Sequence, residues 1–285
     1  MRWKSVLLAL CCLALVVSEV FAETPSAGTM ELNVLKTIQL EATPVDVAIT
    51  PDGRRLFVLT DQGEIHVYAS ATEIESRIPV GKHINRMKAG PGGSTLILGS
   101  SDRKTVEIVG VDFIRNIDIS GAPFKGPENA PVVITVFDEF QCPHCAALVP
   151  VLDQVVEKNP KTVKVAFKHF PITGHKFARK AAIAAIAAGE QGKFWELHDL
   201  LFKNYNRLDD KLIDELALGL DLDREAYEKK LKDPALEQRI DQDIRDGQKA
   251  GVRGTPTIFV NGRLLRDRRI EGFQAAIDKE LKSRE

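Results

Sequence analysis

The segment Gln141-Cys142-Pro143-His144-Cys145 is where residue types and spacing in this 285-residue chain amount to chemistry. A continuous apolar run, Val132–Phe137, precedes it and a helical pattern follows it to about Lys158, so the pair sits where a strand ends and a helix begins. Pro143 belongs at a first helical position, where its missing N–H costs nothing. Cys142 then falls near the N-cap, facing unsatisfied backbone N–H groups and the positive end of the helix dipole, and both favour a thiolate. His144 lies in the same turn and can add a hydrogen bond or a positive charge. Cys145, three residues on, shares the helix face and can close a disulfide with Cys142. Holding the thiolate favours the reduced form, which makes the disulfide a better electron acceptor. The pair is therefore expected to hand its disulfide to other thiols.

Other uses of the pair compete with this one. A structural zinc site needs about four ligands, and His169, His175 or His198 would have to converge on the two cysteines. Covalent haem attachment of the c type needs His after the second cysteine, and Ala146 stands there. A purely structural disulfide across three residues closes a small loop and contributes little chain entropy. No metal or organic cofactor is implied.

The remaining cysteines, Cys11 and Cys12, lie in a segment with the layout of a secretory signal peptide. Arg2 and Lys4 give a positive start, Val6–Val17 is nearly all apolar, and Val20-Phe21-Ala22 offers a cleavage site before Glu23. With residues 1–22 removed, Cys142 and Cys145 are the whole thiol content of an exported, periplasmic chain. The apolar run is shorter than the roughly 20 residues a spanning helix needs. A net charge of −1 gives no global attraction to nucleic acid. Apolar residues at 44 % and charged ones at 28 % allow a buried core.

Two regions of the chain differ in character. Residues 31–120 are strand-like, with runs at Val45–Thr50, Arg55–Thr60, Glu64–Ala69, Thr95–Gly99 and Thr105–Val109. Pro51-Asp52-Gly53 recurs as Pro91-Gly92-Gly93 and Leu56-Phe57-Val58 as Leu96-Ile97-Leu98, a 40-residue repeat. Short strands at that period mark a β-propeller blade, and the pattern resembles bacterial YVTN-type repeats. Two repeats cannot close a propeller, so their edges must be covered by a neighbouring domain, a loop or another chain. Residues 121–130, GAPFKGPENA, read as a linker. Beyond it the order is strand, helix, strand (Val163–His169), a helical block over about 171–250, a hairpin (Thr257–Val260 and about Arg263–Leu265) across Asn261-Gly262, and a final helix near Gly272–Lys282.

Residues 130–285 resemble the DsbA family of thioredoxin-fold thiol oxidoreductases. FDEFQCPHC at 137–145, KHFPITGHKFARKAAIAAIAAGEQGKFWELHDLLF at 168–202 and GVRGTPTIFVNGR at 251–263 carry the resemblance. It implies an α/β thioredoxin fold with a helical insertion over 131–285, joined to the N-terminal all-β domain. It assigns Cys142 as the nucleophile, Cys145 as the resolving thiol, Pro256 as a cis-proline facing the pair, and Thr255 as the residue before it, whose backbone can pair with an extended client. Many thioredoxin-fold enzymes hold a buried acid six residues before the first cysteine; Val136 stands there. Asp138 and Glu139 are nearer substitutes, although such acids are more often surface or capping residues, and strand alternation puts only one of them on a given face.

Phe167, Phe170, Phe177, Phe194, Trp195 and Phe202 are expected to pack the insertion or its contact with the sheet. Arg263, Arg266, Arg268 and Arg269 read as a solvated hairpin edge. The expected function is a dithiol oxidase acting on client proteins with free thiols or disulfides and reset by a redox-recycling partner. Two alternatives stand beside it. One is a disulfide isomerase or reductase that forms a homodimer through the N-terminal β domain. The other is a partner-binding module or chaperone whose β repeats are the recognition surface.

Overall fold

Strand-forming runs parted by Gly- and Pro-bearing turns fill the first third of the chain, and they fold into antiparallel meanders. The structure is a computed structural model that describes residues 26–27, 30–51, 53–69, 74–91 and 94–284. The leader expected at 1–22 lies outside them, as do Asp52, Gly92 and Gly93 of the repeated turns. The chain divides into two compact units that part between Gly110 and Val111.

In the first unit β1 (Ser26–Ala27) pairs with β2 (Met30–Glu31). β3 (Pro44–Ile49), β4 (Leu56–Thr60), β5 (Glu64–Tyr68) and β6 (Ile74–Pro79) form a four-stranded antiparallel sheet in sequence order. β7 (Arg86–Ala89), β8 (Thr95–Ser100) and β9 (Thr105–Gly110) form a three-stranded one. Phe57, Leu59, Ile65 and Val67 of the first sheet are buried, as are Met87, Leu96 and Leu98 of the second. Asp46 on β3 accepts a hydrogen bond from the Met87 amide at 2.7 Å and so ties the two sheets. The first unit thus holds two meanders, of four and three strands, and neither is shown to be a propeller blade. Beside the short β1 and β2, the sequence did not reveal β6 and β7, which carry Glu75, Arg77, Arg86 and Lys88 among their apolar residues.

The second unit runs β10 (Phe124–Lys125), β11 (Val132–Asp138), α1 (Pro143–Lys158), β12 (Val163–His169), α2 (Ala178–Gly189), α3 (Phe194–Lys203), α4 (Asp210–Leu218), α5 (Arg224–Lys230), α6 (Pro234–Ala250), β13 (Thr257–Val260), β14 (Arg263–Leu264) and α7 (Ile270–Lys282). The sheet order is β10-β12-β11-β13-β14, with β11 and β12 parallel and the other pairs antiparallel. Within the stretch read as a linker, Phe124 and Lys125 pair with Ala166 and Val165 as the outer strand. Central β11 is covered on both faces, which explains its unbroken apolar run. Val132, Ile134 and Val136 pack with Leu148 and Val155 of α1 and Phe273 and Ile277 of α7, while Phe137 packs on the other side with Phe170, Val252 and Phe259.

Alanines let α2 approach its neighbours closely, and it packs against α3, α4 and α6. Asn261 and Gly262 both hold left-handed φ, 45° and 77°, as a two-residue hairpin turn demands. That geometry places β14 beside β13 and fixes the approach to the preceding Thr255–Pro256 loop.

Candidate active site

β11 ends at Asp138, and the chain crosses Glu139, Phe140 and Gln141 to reach α1. Cys142 is the N-cap, with φ −80° and ψ 119°, and Pro143 is the first helical residue. The Cys142 carbonyl accepts from the Cys145 amide at 3.1 Å and the Ala146 amide at 3.0 Å, which winds the first turn and stacks the two sulfurs on one side. Both thiols are free. Cys142 keeps 4 % exposure and Cys145 none, so an incoming group meets Cys142 first. Pro143 and His144 are exposed on the outer side of the turn, and His144 makes no hydrogen bond with any described residue.

The loop after α6 supplies the facing wall. Gly251 ends that helix in a left-handed conformation, and Thr255–Pro256 is a cis peptide. The Cys142 thiol donates to the Thr255 carbonyl at 3.5 Å. The structure therefore brings Cys142, Cys145, Thr255 and Pro256 together from segments more than a hundred residues apart, with Pro143 as the helix start and His144 at the rim.

The two acids are not surface residues. Asp138 and Glu139 are both buried, because the end of β11 lies beneath α1 and the start of the helical block. They turn to different sides. The Asp138 carboxyl lies by the Cys145 thiol, close enough for each to shift the other's titration. Burial, opposed by the Cys145 thiol, pushes the Asp138 carboxyl up to about 7, and the charge of nearby Arg268 also opposes the rise. Burial, and then the Asp138 charge, push the Cys145 thiol far above its ordinary range. Glu139 accepts from the Gln141 amide at 2.9 Å and pairs with His175 Nδ1, while Gln141 Oε1 accepts from the Phe177 amide at 2.6 Å. Burial raises the Glu139 carboxyl as well. Val136 is buried against the sheet register partner Phe167 and offers no proton. Two residues further on, Asp138 is in register with His169.

His169 and His198 are buried in a ring cluster. Phe140 stacks on Phe167 with centroids 5.5 Å apart and meets Phe202 at 4.9 Å; Phe194 and Trp195 complete the group. Burial holds the His169 imidazole down to about 3 and lowers His198. His175 pairs with Glu139 and His198 with Asp199, while neither ring nitrogen of His169 has a hydrogen-bond partner among the described residues. Among the described residues no group of three or more His, Cys, Asp or Glu could hold a metal ion. Phe170 packs edge-on to Phe137 at 6.2 Å, and Phe177 is partly buried beside the cluster. Trp195 Nε1 donates to the Phe124 carbonyl at 3.1 Å, fastening α3 to the outer strand.

A family model described as thioredoxin matches residues 120–279. The Na(+)/H(+) antiporter NhaA 3 of Salinispora tropica is 36 % identical over 154 residues, which are 54 % of this chain and 24 % of that protein. NhaA of Herminiimonas arsenicoxydans is 31 % identical over 142 residues, 50 % of this chain and 22 % of its own. The chain thus spans about a quarter of the length of these curated relatives. Among solved structures, oxidised BdbD from Bacillus subtilis aligns with a TM-score of 0.53 at 25 % identity, covering 60 % of this chain and 98 % of that one. A thioredoxin-like oxidoreductase from Silicibacter pomeroyi aligns with a TM-score of 0.51 at 26 % identity, covering 56 % and 92 %.

Proposed function

The chain belongs to the thioredoxin family, and from that premise we propose that it is an exported thiol–disulfide oxidoreductase, a dithiol oxidase passing the Cys142–Cys145 disulfide to client proteins. One observation carries the reading. A pair of cysteines on the first turn of α1 meets the carbonyl of Thr255 in a cis Thr255–Pro256 loop. The oxidoreductase names of BdbD's fellow structural neighbour and the thioredoxin match support it.

In the oxidised protein a client thiolate attacks Cys142 Sγ. A client–Cys142 bond forms, the Cys142–Cys145 bond breaks, and Cys145 leaves with the bonding pair. Asp138, beside that sulfur and titrating near neutrality, is placed to return its proton. A second client thiolate then displaces Cys142. The client has lost two electrons and two protons, and the cysteine pair has gained them. The Thr255 backbone offers an edge for an extended client during the exchange, and a separate redox partner must reoxidise the pair. Equilibration with glutathione tests the direction: a potential near that of strong oxidants, about −120 mV, is expected, and one near −270 mV overturns the oxidase reading.

A second reading, an isomerase or reductase dimerised through the β unit, is favoured by exposed apolar side chains there: Val45, Val47 and Ile49 on β3 and Val106 and Ile108 on β9. Light scattering together with refolding of a scrambled-disulfide substrate separates the two, a non-shuffling monomer supporting the oxidase. Export rests on the leader pattern at 1–22. The antiporter activity named for the curated relatives is not part of the proposal; what we infer is shared is the thioredoxin-like unit. Among the described residues no helix is long and apolar enough to cross a membrane.

A further inference from the structure

Four arginines follow the Asn261-Gly262 turn, and by composition alone they are a solvated edge. Their partners separate them. Arg263 donates to Glu280 at 2.9 Å, and Arg269 is held by Asp267 at 2.6 Å. Arg266 and Arg268 form no salt bridge among the described residues, and neither does Arg253 in the loop after α6, although the charge of Arg268 reaches the buried Asp138. These three exposed side chains line one groove of about 510 Å³ together with Thr255, Pro256 and Leu264. None of the groove's lining residues is acidic. Leu264, half-exposed on the outer strand β14, gives it an apolar wall.

The groove therefore has two properties at one address. It opens on the loop whose Thr255 carbonyl touches Cys142, and its charges are all positive in a chain whose net charge is −1. A polypeptide lying in it brings its neighbouring residues to the sulfur. Unpaired guanidinium groups at such a rim favour carboxylates and speed the encounter with them.

We propose that this groove selects clients with acidic residues beside the reacting cysteine, their carboxylates seating against Arg253, Arg266 and Arg268 while the backbone passes Thr255. This rests on the oxidoreductase reading and names the client class for the same site. Each exposed pair contributes modestly, about twofold, so three together give about tenfold, and salt removes the effect.

The test uses the oxidised full chain and three synthetic dithiol peptides that differ only in whether glutamate, glutamine or lysine flanks the cysteines. At low salt the glutamate peptide is expected to be oxidised about tenfold faster than the lysine peptide, with the gap closing at high salt. Replacing all three arginines by serine brings the ratio towards one, whereas replacing them by lysine keeps most of it. Equal rates for the two charged peptides overturn the proposal, and so does a ratio unaffected by salt or by the serine substitutions. The salt arm decides the matter on the unaltered protein should the triple variant fail to fold. The glutamine peptide reads the chemistry separately: failure to oxidise it sinks the oxidase reading. Anisotropy of cysteine-free glutamate and lysine peptides then reads the groove alone, and equal binding overturns it.

Discussion

The Asp138 carboxyl and the Cys145 thiol are neighbours under the first turn of α1, each shifting the other's titration, and both side chains are closed off from solvent. The pairing has a sign in pH. The Asp138 carboxyl titrates near 7 when folded and near 4 in an unfolded chain, so the unfolded state sheds its proton first. Stability of the reduced protein is expected to fall as pH rises from about 4 to about 7 and to level off above, by up to roughly 4 kcal/mol from this group. Asp138→Asn keeps an acceptor for the Glu139 amide, which now bonds Asp138 Oδ1 at 3.0 Å, and removes the ionisation. Urea unfolding at pH 5 and pH 8 should show the variant gaining on the wild type at the higher pH; an unchanged difference would falsify the assignment.

The two sulfurs should behave unequally. Cys142 retains exposure and Cys145 has none. Cys142→Ser is expected to abolish oxidation of a dithiol peptide. Cys145→Ser should instead accumulate a client-to-Cys142 mixed disulfide, visible as an added mass in non-reducing mass spectrometry. Wild-type turnover by Cys142→Ser would end the mechanism.

Away from the sulfurs, Lys168 is a buried cation held by two carboxylates, Asp243 Oδ1 at 2.7 Å and Asp246 Oδ2 at 3.0 Å, and it also donates to the Asp118 carbonyl at 3.0 Å. Asp243 in turn accepts the His169 amide at 2.9 Å. Lys168→Met leaves a buried carboxylate uncompensated and is expected to cost about 3–5 kcal/mol in urea unfolding. Adding Asp243→Asn should recover part of that loss, because the stranded charge is gone; a double variant no more stable than the single one argues that packing, not charge, is at stake.

Much of this was legible in the residues because the determinants are local. β11 spans Val132–Asp138 much as its apolar run implies, and Asn261-Gly262 marks a hairpin turn through the left-handed φ that these residues tolerate. Pro143 announces the start of α1 in the same way. What escaped depends on distant chain. Asp138 and Glu139 read as surface acids because nothing near them in sequence shows that a helix N-terminus and His175 will cover them. β10 is two residues long and exists through pairing with β12, some forty positions later. The four hairpin arginines look alike until Glu280 and Asp267 claim two of them.

The Glu139–His175 pair and the Gln141–Phe177 bond stitch the cysteine-bearing turn to the segment leading into α2. Those stitches act as a mechanical linkage. An adjustment of that turn when the sulfurs join or part would be felt first at the lead-in of the helical cap, and the Phe177 amide resonance is expected to shift between the two redox states.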